Sequence, residues 1–375
     1  MRETAGQGSA LGGLRRSERD TPMRSDSPVT LKDVAAVAGV HPATASRALN
    51  HQTRLLVSAE TASRILAAAD ELGYRPNTVA RSLRTRRSHT VGVLIPDLTN
   101  PLFPPIVRGI EDRLAADGYV ALIGNTDSDD DRERLVFDRM LARHVDGFVC
   151  ATAHLRSSLL AEAAAAEIPM VLVNRHAEGY GFPAVSVDNE RGIAMAVSHL
   201  VGLGHRRIAH IAGPQDVSTG LSRYRGFVAA MAAHGLAADP DLVVHAAAYS
   251  LDEGDRCCRA LLEADCGFTA VAAANDMLAV GCYAALEAAG LSCPQDISVV
   301  GFNDMPFIDR LRPPLTSVSF PHYQVGTEAG QLILEQIAAS GEHGKAPADD
   351  QAKVLYLAPE LKVRGSTGPP RTAAN

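Results

Sequence analysis

The chain has 375 residues, of which 46% are hydrophobic and 21% charged, a balance typical of soluble globular proteins that excludes a mostly disordered chain. The length predicts two or three folded units, and no apolar run approaches the roughly 20 residues that a membrane-spanning helix needs. The formal net charge of −7 excludes a uniformly basic chain, but it leaves room for a basic module joined to an acidic body.

Residues 1–28 are rich in Arg, Gly, Ser and Thr. No apolar segment follows Arg15 and Arg16, so we predict a disordered arm rather than an export signal, with Met23 as an alternative initiator to Met1. The six cysteines have neither zinc nor disulfide spacing, which indicates a reducing, cytoplasmic setting. No metal site and no cofactor are expected.

Three short helices are predicted within residues 29–76. Thr30 can cap the first, which Gly39 ends, and Pro42 suits the first turn of the second. Ser58 can cap the third, which is expected to run to Leu72. Two helices joined by a turn and braced by a third form a helix-turn-helix, so a DNA-binding domain is predicted here.

The same part of the chain is basic. Residues 29–88 carry nine basic against four acidic side chains, a net of +5. Because salt screens the field of the acidic body within about 10 Å, this module can bind phosphate locally. Residues 77–89 are predicted to form a hinge helix and linker, and a helix this short forms only with a partner.

From residue 90 to 365, apolar strand segments alternate with helical segments. This alternation predicts two α/β lobes, each a doubly wound parallel sheet with helices on both faces. Ligands bind at the carboxyl ends of parallel strands, so the cleft between the lobes is the expected site. Residues 366–375 are expected to be a disordered tail. The predicted strands are Val91–Ile95, Tyr119–Ile123, Val145–Cys150, Met170–Val173, Val185–Val187, Ile208–Ile211, Thr269–Ala273 and Ile297–Phe302.

The helical segment resembles the DNA-binding headpiece of the LacI/GalR (lactose/galactose repressor) family. The resemblance is carried by VTLKDVA at 29–35, AGV at 38–40 and ATASRALN at 43–50, and by the motifs at 57–61, 71–77 and 80–85. The resemblance extends to residue 364, with weaker motifs after the headpiece. The family implies the fold predicted above, a helix-turn-helix followed by a two-lobed domain similar to periplasmic sugar-binding proteins.

In a helix-turn-helix, the first turn of the second helix enters the major groove. Arg47 can bridge the O6 and N7 atoms of a guanine, whereas Ala43 offers apolar contact only. His41 stands where the family usually has a Ser cap, and a His is expected to cap weakly. The resemblance implies that Leu83 wedges into the minor groove. The expected DNA contacts are Thr30, His41, Pro42, Ala43, Thr44, Ser46, Arg47, Asn50, Asn77, Arg81, Leu83 and Arg84.

The α/β region resembles the sugar-binding proteins in motifs that follow predicted strands, such as PDLTNPLF at 96–103, AND at 274–276 and GFND at 301–304. Carboxylates, amides and guanidinium groups form paired hydrogen bonds with polyhydroxy ligands, and aromatic faces stack on them. Asn303 stands where the family often has Asp, which makes the cleft less suited to a cationic ligand. The expected effector contacts are Asn100, Phe103, Asp127, Arg175, Arg223, Asn275, Asp276, Asn303 and Phe320.

These features predict a cytoplasmic transcriptional regulator, in this family usually a repressor. It is expected to bind a palindromic operator in double-stranded DNA as a homodimer and to respond to a small-molecule effector, a sugar or related metabolite. The alternative is a sugar-binding protein without a regulatory role, which would need an export signal and no headpiece. An enzyme is not expected, because the sequence has no P-loop, no GxGxxG after a strand and no nucleophile elbow. Effector identity, and whether it releases or strengthens DNA binding, stay open.

Overall fold

The structure is a computed structural model that describes residues 29–49, 53–75, 87–341 and 353–371. The chain divides into two compact units, residues 1–78 and 79–375. No helix in the described ranges combines the length and apolar character that crossing a bilayer requires. All six cysteines lie in the described ranges and are free thiols, four of them buried.

The first unit contains the three predicted helices, and their order and type are confirmed. Gly39 and Gly73 take the left-handed φ values of +62° and +63° that end the first and third helices. The core is built from small side chains around Val34 and Ile65, both fully buried, so the helices approach closely. The helices are α1 (Leu31–Val37), α2 (Pro42–Leu49) and α3 (Ala59–Glu71), with a 3-10 turn at Arg54–Leu56.

The second unit has two α/β lobes, as predicted. The sheet of the first lobe contains β1 (Thr90–Ile95), β2 (Val120–Asn125), β3 (Gly147–Cys150), β4 (Met170–Val173), β5 (Ala184–Val187) and β11 (Val354–Leu357). All its pairs are parallel, in the order β11-β5-β4-β3-β1-β2. Its helices are α4 (Phe103–Ala116), α5 (Asp130–Leu141), α6 (Ser158–Ala165) and α11 (His322–Gly341).

The sheet of the second lobe repeats this plan. It contains β6 (Ile208–Ala212), β7 (Val243–His245), β8 (Ala270–Ala273), β9 (Ser298–Asn303), β10 (Thr316–Ser319) and β12 (Glu360–Lys362). The order is β12-β10-β9-β8-β6-β7, and only the β10–β12 pair of this sheet is antiparallel. Its helices are α7 (Asn189–Gly202), α8 (Ser218–Ala233), α9 (Leu251–Glu263) and α10 (Asp276–Ala288).

The chain crosses between the lobes three times, after β5, after β10 and between β11 and β12. The eight predicted strands are confirmed with shifts of up to two residues at their ends. Four further strands, β7, β10, β11 and β12, were not predicted. β7 and β12 have only three residues each and β10 is mostly Ser and Thr, whereas the apolar run of β11 was a signal that could have found it.

The expected disordered tail is wrong for residues 366–371, which pack on the second lobe. Ser366 is fully buried, accepts a hydrogen bond from the Thr316 amide (2.8 Å) and donates one to the Val299 carbonyl (2.6 Å). The Gly368 carbonyl lies 2.9 Å from Nε2 of the buried His205. Backbone groups at the edge of a core need such partners, so this segment completes the lobe.

Candidate functional site

Helix α2 has one face buried in the first unit and one face free. Ala45 and Ala48 are fully buried, while His41, Ala43 and Arg47 are exposed. Thr44, Ser46 and Pro42 are half-buried between the two faces. The guanidinium of Arg47 has no hydrogen bond or ion pair with another described residue, so all of its donors are available. An exposed helix face with a free guanidinium is suited to reading base edges in a major groove.

His41 caps α2 in the way that a shorter polar side chain would. Its Nδ1 accepts a hydrogen bond from the Ala43 amide at 3.2 Å, which satisfies one of the free N–H groups of the first turn. Thr30 is engaged at the start of α1, where its backbone amide (2.8 Å) and hydroxyl (2.7 Å) both donate to Asp33. The backbone amide at Thr30 stabilises the charged carboxylate, so the pKa of Asp33 is lowered.

The segment after α2 is tied back to it. The Thr53 hydroxyl donates to the Arg47 carbonyl, and Nε of Arg54 donates to the Ala48 carbonyl, both at 3.0 Å. These bonds satisfy carbonyls at the C-terminal end of α2 and leave the Arg47 side chain free. The other predicted DNA contacts, Asn50, Asn77, Arg81, Leu83 and Arg84, lie outside the described residues.

In the second unit, a cleft of about 580 Å³ lies between the lobes, a volume in the usual range for small-molecule sites. Its walls come from residues that follow strands of both sheets. The cleft brings together seven of the nine predicted effector contacts: Asn100, Phe103, Asp127, Arg175, Arg223, Asn275 and Asn303.

Arg223 is held in the floor of the cleft on the second-lobe side, where its side chain is 2% exposed. Its Nε donates to Asn189 Oδ1 (2.8 Å), Nη1 to the Ala274 carbonyl (2.6 Å) and Nη2 to Asn303 Oδ1 (3.3 Å). The guanidinium also lies 3.8 Å from the ring centroid of Phe302. Burial lowers the pKa of Arg223 to about 10, so the group stays charged at neutral pH.

Arg175 lies on the first-lobe side and is 8% exposed. Nη1 donates to the Thr152 carbonyl at 3.3 Å. The Thr152 hydroxyl in turn donates to Glu133, a buried carboxyl whose pKa is raised chiefly by desolvation. The neighbouring Asn174 has a buried Oδ1 with no hydrogen-bond partner among the described residues. On this side of the cleft, Arg175 therefore keeps N–H donors that no other described residue uses.

Two predicted contacts do not line the cleft. Asp276 is fully buried behind it, where its two carboxyl oxygens accept hydrogen bonds from the Ser317 hydroxyl (2.5 Å) and the Met305 amide (2.8 Å). Phe320 is 5% exposed and packs edge-on against His322, with 4.4 Å between the ring centroids. Neither side chain is among the residues that line the cleft, so their assignment as lining residues is wrong.

A pair of residues that was not predicted from the sequence joins the lobes at the cleft. Nδ1 of His154, which follows β3, lies 3.0 Å from a carboxylate oxygen of Asp216, which follows β6. Beside this pair, the Leu155 amide donates to the Asp216 carbonyl (2.8 Å) and the His176 amide donates to the Ser218 hydroxyl (2.9 Å). His154 and Asp216 lie in the loops that follow β3 and β6, and this position was a signal that could have found them.

A wall residue from the second lobe was missed as well. Tyr249 follows the short strand β7 and lines the cleft, and its hydroxyl donates to the Thr219 hydroxyl at 3.3 Å. Together with Phe103 it gives the cleft two aromatic walls, one from each lobe. Because β7 was not predicted, the rule that ligands bind at the carboxyl ends of parallel strands could not identify this residue.

Comparison with known proteins agrees with both units. Residues 30–77 match the family described as bacterial regulatory proteins, lacI family, and residues 197–367 match a periplasmic binding protein-like domain. The HTH-type transcriptional repressor CytR of Escherichia coli (strain K12) is 32% identical over 344 residues, 92% of this chain and 98% of the relative. The ribose operon repressor of Bacillus subtilis (strain 168) is 34% identical over 306 residues, 81% of this chain and 90% of the relative.

Solved structures support the same family. The lac repressor dimer bound to operator and the anti-inducer ONPF superimposes with a TM-score of 0.76 at 27% identity, covering 91% of this chain and 100% of that one. The transcriptional regulator CelR–cellobiose complex gives a TM-score of 0.67 at 32% identity, covering 90% and 99%. The chain therefore belongs to the lacI family of bacterial regulatory proteins and is a DNA-binding transcriptional regulator with an effector-binding domain.

Proposed function

We propose that this chain represses transcription by binding a palindromic operator as a homodimer, and that a small hydroxylated metabolite in the cleft sets its affinity for that operator. The observation that carries the proposal is the coexistence, in one chain, of two features: an exposed face of α2 whose Arg47 guanidinium pairs with no other described residue, and a polar cleft between the lobes. The cleft alone would not distinguish a regulator from a solute-binding protein, and the exposed face of α2 supplies the distinction.

The DNA-binding half of the proposal is supported by α2. We assign the base contacts to Arg47 and, through apolar contact, to Ala43, with Thr44 and Ser46 directed at phosphates. A palindromic operator presents two equivalent half-sites, and two copies of the headpiece match them only in a symmetric dimer. The lac repressor structure described above is a dimer bound to operator, which agrees with this assignment.

The effector half is supported by the amides, hydroxyls and guanidinium groups of the cleft, which suit a ligand with several hydroxyl groups. Among the similar structures, the regulator CelR is in complex with cellobiose, and a regulator from Enterococcus faecium carries bound ribose. A ligand that prefers one arrangement of the lobes would change the spacing of the two headpieces. Coupling of this kind is reciprocal, because the operator must alter ligand affinity by the same factor.

The test is selection of operator sequences from a random duplex pool with the full-length protein, followed by gel shifts at graded salt. Specific binding is expected to weaken linearly in log–log form as salt rises. Arg47→Ala should lower specific affinity by about 1–3 kcal/mol. Arg64→Ala, an exposed arginine on α3, is the matched control and should stay close to wild type.

The alternative, a solute-binding protein without a regulatory role, predicts a different pattern. It would bind a sugar but select no sequence, and Arg47→Ala would then have no more effect than Arg64→Ala. Equal, weak binding to every duplex, with and without metabolites, would reject the proposed function.

A further inference from the structure

The chain enters the first lobe through residues 87–89, the entry segment, which lie directly before β1. Asp146, in the turn between α5 and β3, holds this segment with both of its carboxylate oxygens. Oδ1 accepts hydrogen bonds from the amide (2.8 Å) and hydroxyl (3.1 Å) of Ser88, and Oδ2 accepts one from the amide of His89 (2.8 Å). The Asp146 amide donates to the Thr90 carbonyl at 2.8 Å. One residue therefore fixes three consecutive residues of the chain.

Two further elements of the first lobe hold the entry segment. Nη2 of Arg87 donates to the Ile337 carbonyl on α11 at 2.9 Å. The His89 carbonyl accepts a hydrogen bond from the Val120 amide at the start of β2 (2.9 Å), and the ring centroids of His89 and Tyr119 are 4.9 Å apart. These contacts, together the linker anchor, attach the chain to three elements of the lobe before β1 begins.

The carboxylate of Asp146 is the part of the linker anchor that the sheet does not require. β1 starts at Thr90, and its pairing with β2 and β3 uses backbone groups alone. Hydrogen bonds from backbone amides to a carboxylate are charge-assisted and stronger than those to a neutral acceptor. Replacing Asp146 by alanine therefore leaves the sheet intact but removes the acceptor of the Ser88 and His89 amides.

The linker anchor determines how much of the connection to the helix-turn-helix unit is fixed. Residues 76–86 form that connection and lie outside the described residues. Freeing residues 87–89 lengthens it from eleven residues to fourteen. Because effective concentration falls roughly as the −3/2 power of linker length, the added length alone weakens joint binding of two headpieces less than about twofold. A larger effect requires loss of the fixed direction in which the chain leaves the lobe.

We propose that Asp146 is a positioning residue for operator recognition: by fixing the direction of the entry segment, it determines which spacing of the two half-sites the homodimer accepts. This rests on the proposed function and adds a determinant of operator specificity outside the helix-turn-helix. One added base pair moves a half-site by about 3.4 Å along the duplex and turns it by about 34°. A connection with a fixed direction opposes this change, whereas a free connection follows it at little cost.

Gel shifts with the full-length protein and three duplexes test the proposal. The duplexes carry the selected palindrome, the same palindrome with one base pair inserted at its centre, and a single half-site. For the wild type, the insertion should weaken binding about tenfold or more. For Asp146→Ala, the insertion should weaken binding less than about threefold, while affinity for the single half-site stays within about twofold of wild type.

Two more variants complete the design. Asp146→Asn keeps an acceptor for Ser88 but presents an amide to His89, so the effect of the insertion should lie between those for wild type and Asp146→Ala. It decides the question if Asp146→Ala fails to fold, which thermal unfolding of each variant shows. Asp138→Ala removes an exposed carboxylate from α5 and is the matched control, which should respond to the insertion as the wild type does.

Three outcomes would overturn the inference: the wild type binds both palindromes equally, the folded Asp146 variants respond to the insertion as the wild type does, or they lose the same factor on all three duplexes. The last result would assign the carboxylate to the fold alone. The operator selection separates this inference from the proposed function. A selected palindrome whose spacing preference does not depend on Asp146 rejects the inference alone, whereas the absence of any selected sequence rejects the regulator itself.

Discussion

Arg223 shows how a single side chain can serve both the ligand cleft and the fold. The three nitrogen atoms of its guanidinium group donate hydrogen bonds to oxygens of Asn189, Ala274 and Asn303. Without them, these buried oxygens would have no donor. Arg223→Lys keeps the charge but cannot reach all three, so we expect the free energy of unfolding to fall by about 1–3 kcal/mol. Urea denaturation measures the change, with the exposed Arg225→Lys as control. Equal stability of the two variants would show that the three hydrogen bonds of the Arg223 guanidinium have no structural role.

Asp276 gives the stability of the second unit a distinctive pH dependence. Desolvation raises its pKa from 3.8 to about 7, so between these values the folded protein holds a proton that the unfolded chain releases. The stabilisation is complete below about pH 4 and is lost as the pH rises through 7. We expect Asp276→Asn to reduce the fall in unfolding free energy between pH 5 and pH 8, by up to about 1.4 kcal/mol per pH unit.

The comparison for this prediction is Glu111→Gln, which removes an exposed carboxyl and should keep the wild-type slope. Chemical denaturation at several pH values gives all three slopes. If the slope of Asp276→Asn matched the wild type, the carboxyl would be ionised throughout this range, contrary to the effect of its burial.

Among the elements, helices α4 and α11 of the first lobe pack at a distance that only glycine permits. A Cβ atom on Gly326 would lie 2.0 Å from the Ile106 carbonyl oxygen, and one on Gly109 would lie 2.2 Å from that of Tyr323. Gly326→Ala is expected to push the helices apart and to lower the free energy of unfolding by about 1–3 kcal/mol. Gly202, at the end of α7, has nothing within 4 Å of an added Cβ.

Gly202→Ala is therefore the matched control for the helix pair. It should stabilise the protein slightly, by up to about 1 kcal/mol, because alanine is the better helix former. Thermal unfolding of both variants distinguishes the two effects. A Gly326→Ala protein as stable as Gly202→Ala would mean that the two helices can separate at little cost.

The local sequence pattern of each element explains which parts of the fold could be predicted. Strands such as β4 are continuous apolar runs and stand out, whereas β12 has only three residues, of which two are charged. Its place in the sheet depends on pairing with β10, more than 40 residues earlier in the chain, which no local pattern contains. The helices of the first unit were predictable because caps and glycines mark their ends locally.

Over the whole molecule, the sequence located the cleft correctly but could not always say which neighbouring side chain enters it. Asn275 and Asp276 are adjacent, and both fit the strand-end pattern. In the structure Asn275 lines the cleft and caps α10, while Asp276 turns back to Ser317. His154 and Asp216 come from different lobes, so their pairing is a property of the assembled domain rather than of either motif.

The lobes can respond to a ligand as two bodies only if the contacts that bridge them open together. The His176 amide is bonded to the Ser218 hydroxyl, and the Leu155 amide to the Asp216 carbonyl, so both amides report opening of the cleft in hydrogen exchange. Ser218→Ala removes only the first acceptor, worth about 1 kcal/mol. If the bridges are coupled, exchange should quicken about fivefold at Leu155 as well as at His176.

Mass spectrometry of peptides spanning each amide measures both rates in the ligand-free protein. Ser198→Ala, which removes a hydroxyl on α7 that is bonded to His234 away from the cleft, should alter neither rate. Faster exchange at His176 alone would mean that each bridge breaks by local fluctuation. In that case occupancy of the cleft could not move the lobes as units, and the transmission of ligand binding to the headpieces would have to follow another route through the fold.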